Sequence, residues 1–315
     1  MEAGVKMRIL IALDVTTQRT EIVLEAAFRP WPAGSTFLLL HVLDPFPFVK
    51  APISLKRAQE AASLQLKKAS KSLVEAGWKT ETDVILGMPR RLVSQTAASW
   101  KADLVMVGSN EIGALTRLVL GSTALSVLRH APCSVEIVRW SPNEKIASQS
   151  NGMKILVATD GSVFSTAALQ SVASRPWPQG TKARVISIPE PFMPLGEFPY
   201  FELKEIEALN AAALQEAKQY AEVGAAVLSK AGLEVTLETL LPRDSDAREI
   251  VKEAERWQAQ LIVLGSHGRR GFDRMTMGSV SEHVALHAQC SVEVIRAALS
   301  PNKKSNKLTK KGARR

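Results

Sequence analysis

Cysteine is nearly absent: the 315 residues contain two, Cys133 and Cys290. That excludes a disulfide framework and fits a reducing compartment, so the expected location is cytoplasmic. The two thiols stand at equivalent strand starts and read as small apolar packing groups. Long apolar runs are missing too. None reaches the ~18 residues of a membrane-spanning helix, so no membrane span is expected. The opening "MEAGVKMRILIALD" has no basic segment, long apolar core and cleavage site in series, and does not read as a signal peptide. Acidic residues are missing from one stretch, the last fifteen residues "PNKKSNKLTKKGARR", which hold seven Lys or Arg. Without that stretch the formal charge falls from +9 to +2. The basicity therefore belongs to a tail, expected to be disordered over 299–315, and its placement argues against nucleic-acid binding by the folded body. The tail either only solvates the chain or touches RNA, an acidic partner or a membrane surface. Two phosphate signatures are also missing. There is no GxxxxGK[ST], which excludes a P-loop, and no GxGxxG, which leaves a Rossmann dinucleotide fingerprint unsupported.

What is present is a duplication. "RPWPAGS" (29–35) returns as "RPWPQGT" (175–181), and "MRILIALD" (7–14) returns as "MKILVATD" (153–160). "CSVEIVR" (133–139) returns as "CSVEVIR" (290–296). The period is far too long for a solenoid, so each half is expected to be a whole domain. With 46% apolar residues, the chain has the composition of a globular protein. The predicted division is a first domain over 1–140, a polar, turn-rich linker over 141–152, a second domain over 153–298 and the tail.

Within each half, short β-branched runs alternate with helical stretches. In the second half, "KILVAT", "ARVISI", "EVTLETLL", "QLIVLG" and "SVEVIR" read as strands. Helices are expected from about Phe164, through a long Ala-, Leu- and Glu-rich segment closed by Gly232, in "AREIVKEAERW" and in "SVSEHVALHA". This alternation predicts βαβ units, with a five-stranded parallel sheet covered by helices on both faces.

The stretch "GSHGRRGFDRMTMGS" (265–279) follows the fourth strand and leads into a helix. In a doubly wound sheet, ligands sit beyond the carboxyl ends of the strands where strand order reverses. Asp160 ends the first strand there and Gly265 the fourth. Glycines allow close backbone approach, and a helix N-terminus favours an anion. Arg269 and Arg270 add positive charge. These features describe a phosphate-binding loop; a ligand-free glycine-rich loop is the alternative.

Gly265-x-x-Gly268, nine residues, then Gly278-Ser279 resembles the G-x2-G-x9-G-[S/T] nucleotide motif of the universal stress protein family. The resemblance to a tandem member runs from about Met7 to Arg296. It implies a doubly wound α/β fold with strand order 3-2-1-4-5 in each half. It also implies ATP as ligand and a role in stress physiology. By the same resemblance Gly265, Gly268, Gly278 and Ser279 would hold ribose and phosphates, with Arg269 adding charge. Asp160 would lie beside the ribose, and Ile188 would offer backbone contacts to adenine. Mg²⁺ is a candidate companion of the phosphates. The family's Gly-x-Pro after strand three stands in the first half as Gly87-Met88-Pro89, whereas the second half has "PRDSDAREI".

The first half copies the motif spacing but places Glu111 where Gly268 stands. If Gly268 had positive φ, a side chain there would cost ~1–2 kcal/mol. A carboxylate ~4 Å from a phosphate charge would add ~4 kcal/mol of repulsion at an effective dielectric near 20. The first half therefore reads as a degenerate site, with Mg²⁺ coordination by Glu111 as the alternative. His267 reads as a hydrogen-bonding residue, and no catalytic residue is assigned. The Pro- and aromatic-rich segments "DPFPFVKAPI" and "PEPFMPLGEFPYF" are expected to cover the crevice or to dock a partner. An ATP-binding regulatory protein is the leading expectation. A slow ATP hydrolase and a nucleotide-independent scaffold are the alternatives. The two halves are expected to form an internal pseudo-dimer through their last strands, antiparallel, with Glu136 opposite Arg296 and Arg139 opposite Glu293. A homodimer and a further protein partner remain open.

Overall fold

The computed structural model describes residues 6–15, 21–109, 120–139, 152–192, 202–269 and 277–297. The basic tail, all but the last residue of the linker, Glu111, Arg270 and residues 193–201 lie outside them. Val, Ile and Leu dominate the inner strands, which are buried on both faces. The first half runs β1 (Arg8–Ala12), α1 (Glu21–Phe28), β2 (Thr36–Leu43), α2 (Pro52–Glu75), β3 (Lys79–Leu86), α3 (Pro89–Ser99), β4 (Leu104–Gly108), α4 (Ser122–His130) and β5 (Ser134–Val138). The second half repeats it as β6 (Lys154–Ala158), α5 (Val163–Ala173), β7 (Lys182–Ser187), α6 (Leu203–Lys230), β8 (Glu234–Thr239), α7 (Asp246–Trp257), β9 (Leu261–Gly265), α8 (Ser279–His287) and β10 (Ser291–Ile295).

Each half has strand order 3-2-1-4-5 and is parallel throughout, as expected. The two sheets then fuse through antiparallel β5 and β10 into one sheet of 10 strands. On the face carrying α3, α4, α7 and α8, one apolar core crosses the seam without a break, from Leu10 and Val105 to Ile262 and Val294. On the other face the apolar packing is divided. Leu39, Leu66 and Leu73 belong to a cluster under α1 and α2, and Val185, Ala221 and Leu228 to one under α5 and α6.

The antiparallel pairing was expected, but its register is shifted by three residues. Glu136 faces Glu293, not Arg296, with Val135↔Val294 and Ile137↔Val292 on either side. Glu136 and Glu293 are repeat equivalents, so the pseudo-twofold axis passes between them. Arg139 and Arg296 do not pair with the strand carboxylates. Each reaches past the partner strand to helix carbonyls of the other half: Arg139 donates to Ala285 O, and Arg296 to Leu128 O and Arg129 O at 3.0 Å. Cations at helix C-termini are favourable there. The strand glutamates instead meet Arg29 and Arg175, supplied by the two copies of the "RPWP" motif. The motif's tryptophans cap their own helices, Trp31 Nε1 donating to Ala26 O and Trp177 Nε1 to Val172 O, both at 2.7 Å. Cys133 and Cys290 form no disulfide, and both are half-buried.

Candidate functional site

The order of strands reverses beside β6, whose neighbours are β7 on one side and β9 on the other. At the carboxyl ends of β6 and β9 lies a crevice lined by Asp160, Ile188, Gly265, Gly268 and Gly278, together with His267, Val280 and Ser281. Ser279 opens α8 immediately beside it.

The turn after β6, Thr159-Asp160-Gly161-Ser162, is polar and fully engaged. Ser162 is the N-cap of α5, its Oγ accepting from Ser165 N at 3.2 Å. Asp160 Oδ1 accepts from Ser162 N at 3.1 Å, and Oδ2 accepts from Arg269 N at 2.9 Å. Asp160 therefore ties the end of β6 to the loop after β9.

Gly265, Gly268 and Gly278 have reasons other than positive φ. Gly268 is not among the positive-φ residues, so the conformational part of the sequence argument does not apply. A Cβ at Gly268 would instead stand 2.9 Å from Asp160 Oδ2. At Gly265 it would meet the backbone of Phe164 at 2.7 Å, because α5 begins directly above the strand end. At Gly278 it would lie 2.8 Å from Ser266 O. Close packing holds the loop against the mouth of the crevice, on backbone at Gly265 and Gly278 and on the Asp160 carboxylate at Gly268.

The N-terminus of α8 opens onto this mouth. Its N-cap is Gly278, and no side chain caps it. The Ser281 hydroxyl donates to Ser266 O and Gly278 O, both at 2.9 Å. The first bond within the helix is Glu282 N to Gly278 O. The N–H groups of the first turn, and the positive end of the helix dipole, are thus presented where Val280 and Ser281 line the crevice.

Arg269 is placed differently from expectation. Its backbone reaches the crevice through Asp160, but its guanidinium turns outward. There Nη1 donates to Glu216 Oε2 at 2.9 Å, and the group lies 5.6 Å from the Tyr220 ring. The Tyr220 hydroxyl and then Arg269 hold the Glu216 carboxyl below its ordinary range. His267 is buried, with its ring 5.1 Å from Phe164 and Nδ1 3.1 Å from Ser266 Oγ.

Sequence reasoning missed Gly161, Tyr220 and Asp246. Gly161 has φ +75°, and a Cβ there would stand 2.2 Å from Tyr220 Cε1. The signal was available: the first half has Val15 at this repeat position, so "TDGS" against "LDVT" marks the divergence. Asp246, at the first turn of α7, lines the crevice from the side where the second half lacks Gly-x-Pro. In the first half Gly87 of that motif has φ +143° before α3. The segment 44–53 leaves Phe46 80% exposed, so this aromatic does not cover a crevice. Among the described residues, no group of three or more His, Cys, Asp or Glu is arranged to hold a metal ion. No described helix is long and apolar enough to cross a membrane.

Comparison with family profiles matches residues 7–139 and 153–296 to the Universal stress protein family. The chain belongs to this family. It is 27% identical over 308 residues to a universal stress protein of Mycolicibacterium smegmatis, spanning 94% of this chain and 99% of that one. It is 30% identical over 236 residues to one of Mycobacterium bovis, spanning 73% and 74%. Among solved structures, a universal stress protein from Archaeoglobus fulgidus shares the fold with a TM-score of 0.63 at 20% identity, covering 94% of this chain and 99% of that one.

Proposed function

We propose that the second half binds ATP in the crevice between β6 and β9, and that this universal stress protein works as a nucleotide-responsive regulator without efficient turnover. The observation that carries the reading is the uncapped N-terminus of α8, set against a backbone loop that Asp160 fastens to the end of β6. Phosphates would be held by the first-turn N–H groups at Ser279, Val280 and Ser281 and by the backbone of Gly268 and Gly278. Asp160 would orient the ribose. Ile186, Ile188 and Leu264 offer an apolar wall for the base, which suits a mostly apolar pocket with few polar groups. Bound ATP would supply a polyphosphate charge and a purine face, and Mg²⁺ would be held chiefly through the phosphates. Arg269 would act through its backbone, its guanidinium serving to hold the loop against α6.

Calorimetric titration of the full chain with ATP is expected to give one site per chain, and ATP is expected to remain intact for minutes when bound. Two equal sites would overturn the assignment to the second half. Single-turnover hydrolysis near ~1 s⁻¹, in the ordinary enzyme range, would replace the regulator with a hydrolase. Mass spectrometry of small molecules released from natively purified protein tests the ligand itself.

A further inference from the structure

The seam between the halves gathers three carboxylates and two guanidiniums out of water. Glu136 on β5 and Glu293 on β10 lie directly opposite each other, both 0% exposed. Glu25 comes from α1, Arg29 follows α1 and Arg175 follows α5; all three are buried. These five groups sit where the apolar packing of this face is divided between the two halves.

The guanidiniums are unevenly committed. Arg175 grips Glu293 with two prongs, Nη1 to Oε2 at 2.8 Å and Nη2 to Oε1, and lies 5.3 Å from the Trp31 ring of the other half. Arg29 turns one nitrogen, Nη2, to both Glu25 Oε1 and Glu136 Oε1, the latter at 2.6 Å. Glu136 Oε2 has no hydrogen-bond partner among the described residues. Three carboxylates against two guanidiniums leave a formal charge of −1. A buried charge without a counter-ion is ordinarily neutralised by proton uptake.

We propose that the seam is a proton-binding site: one proton from solvent is held on Oε2 of Glu136 while the halves are docked, which makes the five-residue cluster neutral. The proton forms an O–H bond on Glu136 and returns to water when the seam opens. Burial pushes the Glu136 carboxyl up to about 8; Arg29 and Arg175 oppose the shift, and Glu293 and Glu25 add to it. Those four groups are the charges facing Glu136 from α1, β10 and the turns after α1 and α5, while β4 contributes Met106 opposite it. In the unfolded chain a glutamate titrates near ~4.3. The contribution to stability is therefore complete below that value and declines as pH rises to about 8, above which both states are ionised. Over that window this site alone makes the unfolding constant rise about tenfold per pH unit.

Infrared spectroscopy of the full wild-type chain tests the assignment without any variant. A carbonyl-stretch band of a protonated carboxyl is expected at pH ~7 and should vanish with a midpoint near pH 8. The band should be absent in Glu136→Gln. That variant should also lose the tenfold-per-unit slope when urea unfolding is followed against pH. Glu293→Gln leaves two carboxylates for two guanidiniums and should likewise lose the band, which covers the case in which Glu136→Gln fails to fold. No protonated-carboxyl band in the wild type at neutral pH, or a band that persists in a folded Glu136→Gln, overturns the proposal.

Discussion

The two halves are built to one register and differ at the ends of their strands. β1 pairs with β2 from Arg8↔Thr36 to Ala12↔Leu40, and β6 with β7 from Lys154↔Lys182 to Ala158↔Ile186, which are the same positions in the repeat. One residue later they part. Leu13 is buried in the apolar cluster under α1 and α2, and its carbonyl is met by His41 Nδ1 at 2.9 Å. Its counterpart Thr159 begins a hydrogen-bonded turn, with Oγ1 3.2 Å from Ser165 Oγ. Val15 stands where Gly161 adopts φ +75° against Tyr220. The sheet is insensitive to these changes because its stability comes from burial on both faces. The crevice is sensitive to them because its shape is set by three or four backbone turns.

The largest expected effect comes from giving the second half the first half's glutamate. Gly268→Glu would place a carboxylate beside Asp160 Oδ2, 2.9 Å from where its Cβ would lie, and beside any bound phosphate. Repulsion of ~4 kcal/mol at an effective dielectric near 20 corresponds to about a thousandfold loss of ATP affinity, with the fold retained. Gly268→Ala, which adds bulk without charge, should lose less. Unchanged calorimetric binding in Gly268→Glu would move the site out of this crevice.

The seam gives an effect of comparable size. Arg175→Met leaves Glu293 buried without its two-pronged partner and is expected to cost ~3–5 kcal/mol, read from urea denaturation. Arg129→Met removes another contact between halves, the pair with Glu282, but Arg129 is 47% exposed. Its melting temperature should match wild type. Equal effects from the two variants would show that burial is not what distinguishes these contacts.

Gly161→Val converts the second half toward the first at a single turn. An L-residue at φ +75° costs ~1–2 kcal/mol, and the new Cβ must displace Tyr220. Stability in urea should fall by ~1–2 kcal/mol, and ATP affinity should fall with it to the extent that the turn carrying Asp160 shifts to relieve the strain, while circular dichroism stays unchanged. The reverse of the Gly268→Glu exchange, made in the first half, should do less. Glu111→Gly is expected to add at most a weak second site, because Leu13 and Val15 still occupy the positions of Thr159 and Gly161. Two equal sites in that variant would mean that the glutamate alone had silenced the first half. The smallest effect is expected from deleting 299–315, which should leave melting temperature and ATP affinity as they were; a drop in either would show that the tail docks on the body.

The sequence by itself determined the duplication, the order of strands and helices, and the place of the crevice. These follow from local periodicity, turn residues and the rule that ligands gather where a parallel sheet reverses. The grouping of Asp160 with Gly265, Gly268 and Gly278 was legible for that reason, and Ile188 joined it through the family resemblance. Tertiary structure alone decided what each residue does there. Gly265 and Gly268 pack against Phe164 and Asp160, and Arg269 turns to Glu216, because those neighbours come from elements distant in sequence. The seam register was likewise out of reach of a strand-to-strand charge argument. Glu136 and Glu293 pair face to face only because Arg29 and Arg175 approach from the turns after α1 and α5, and the cost of a buried carboxylate depends on which cation the whole fold brings to it.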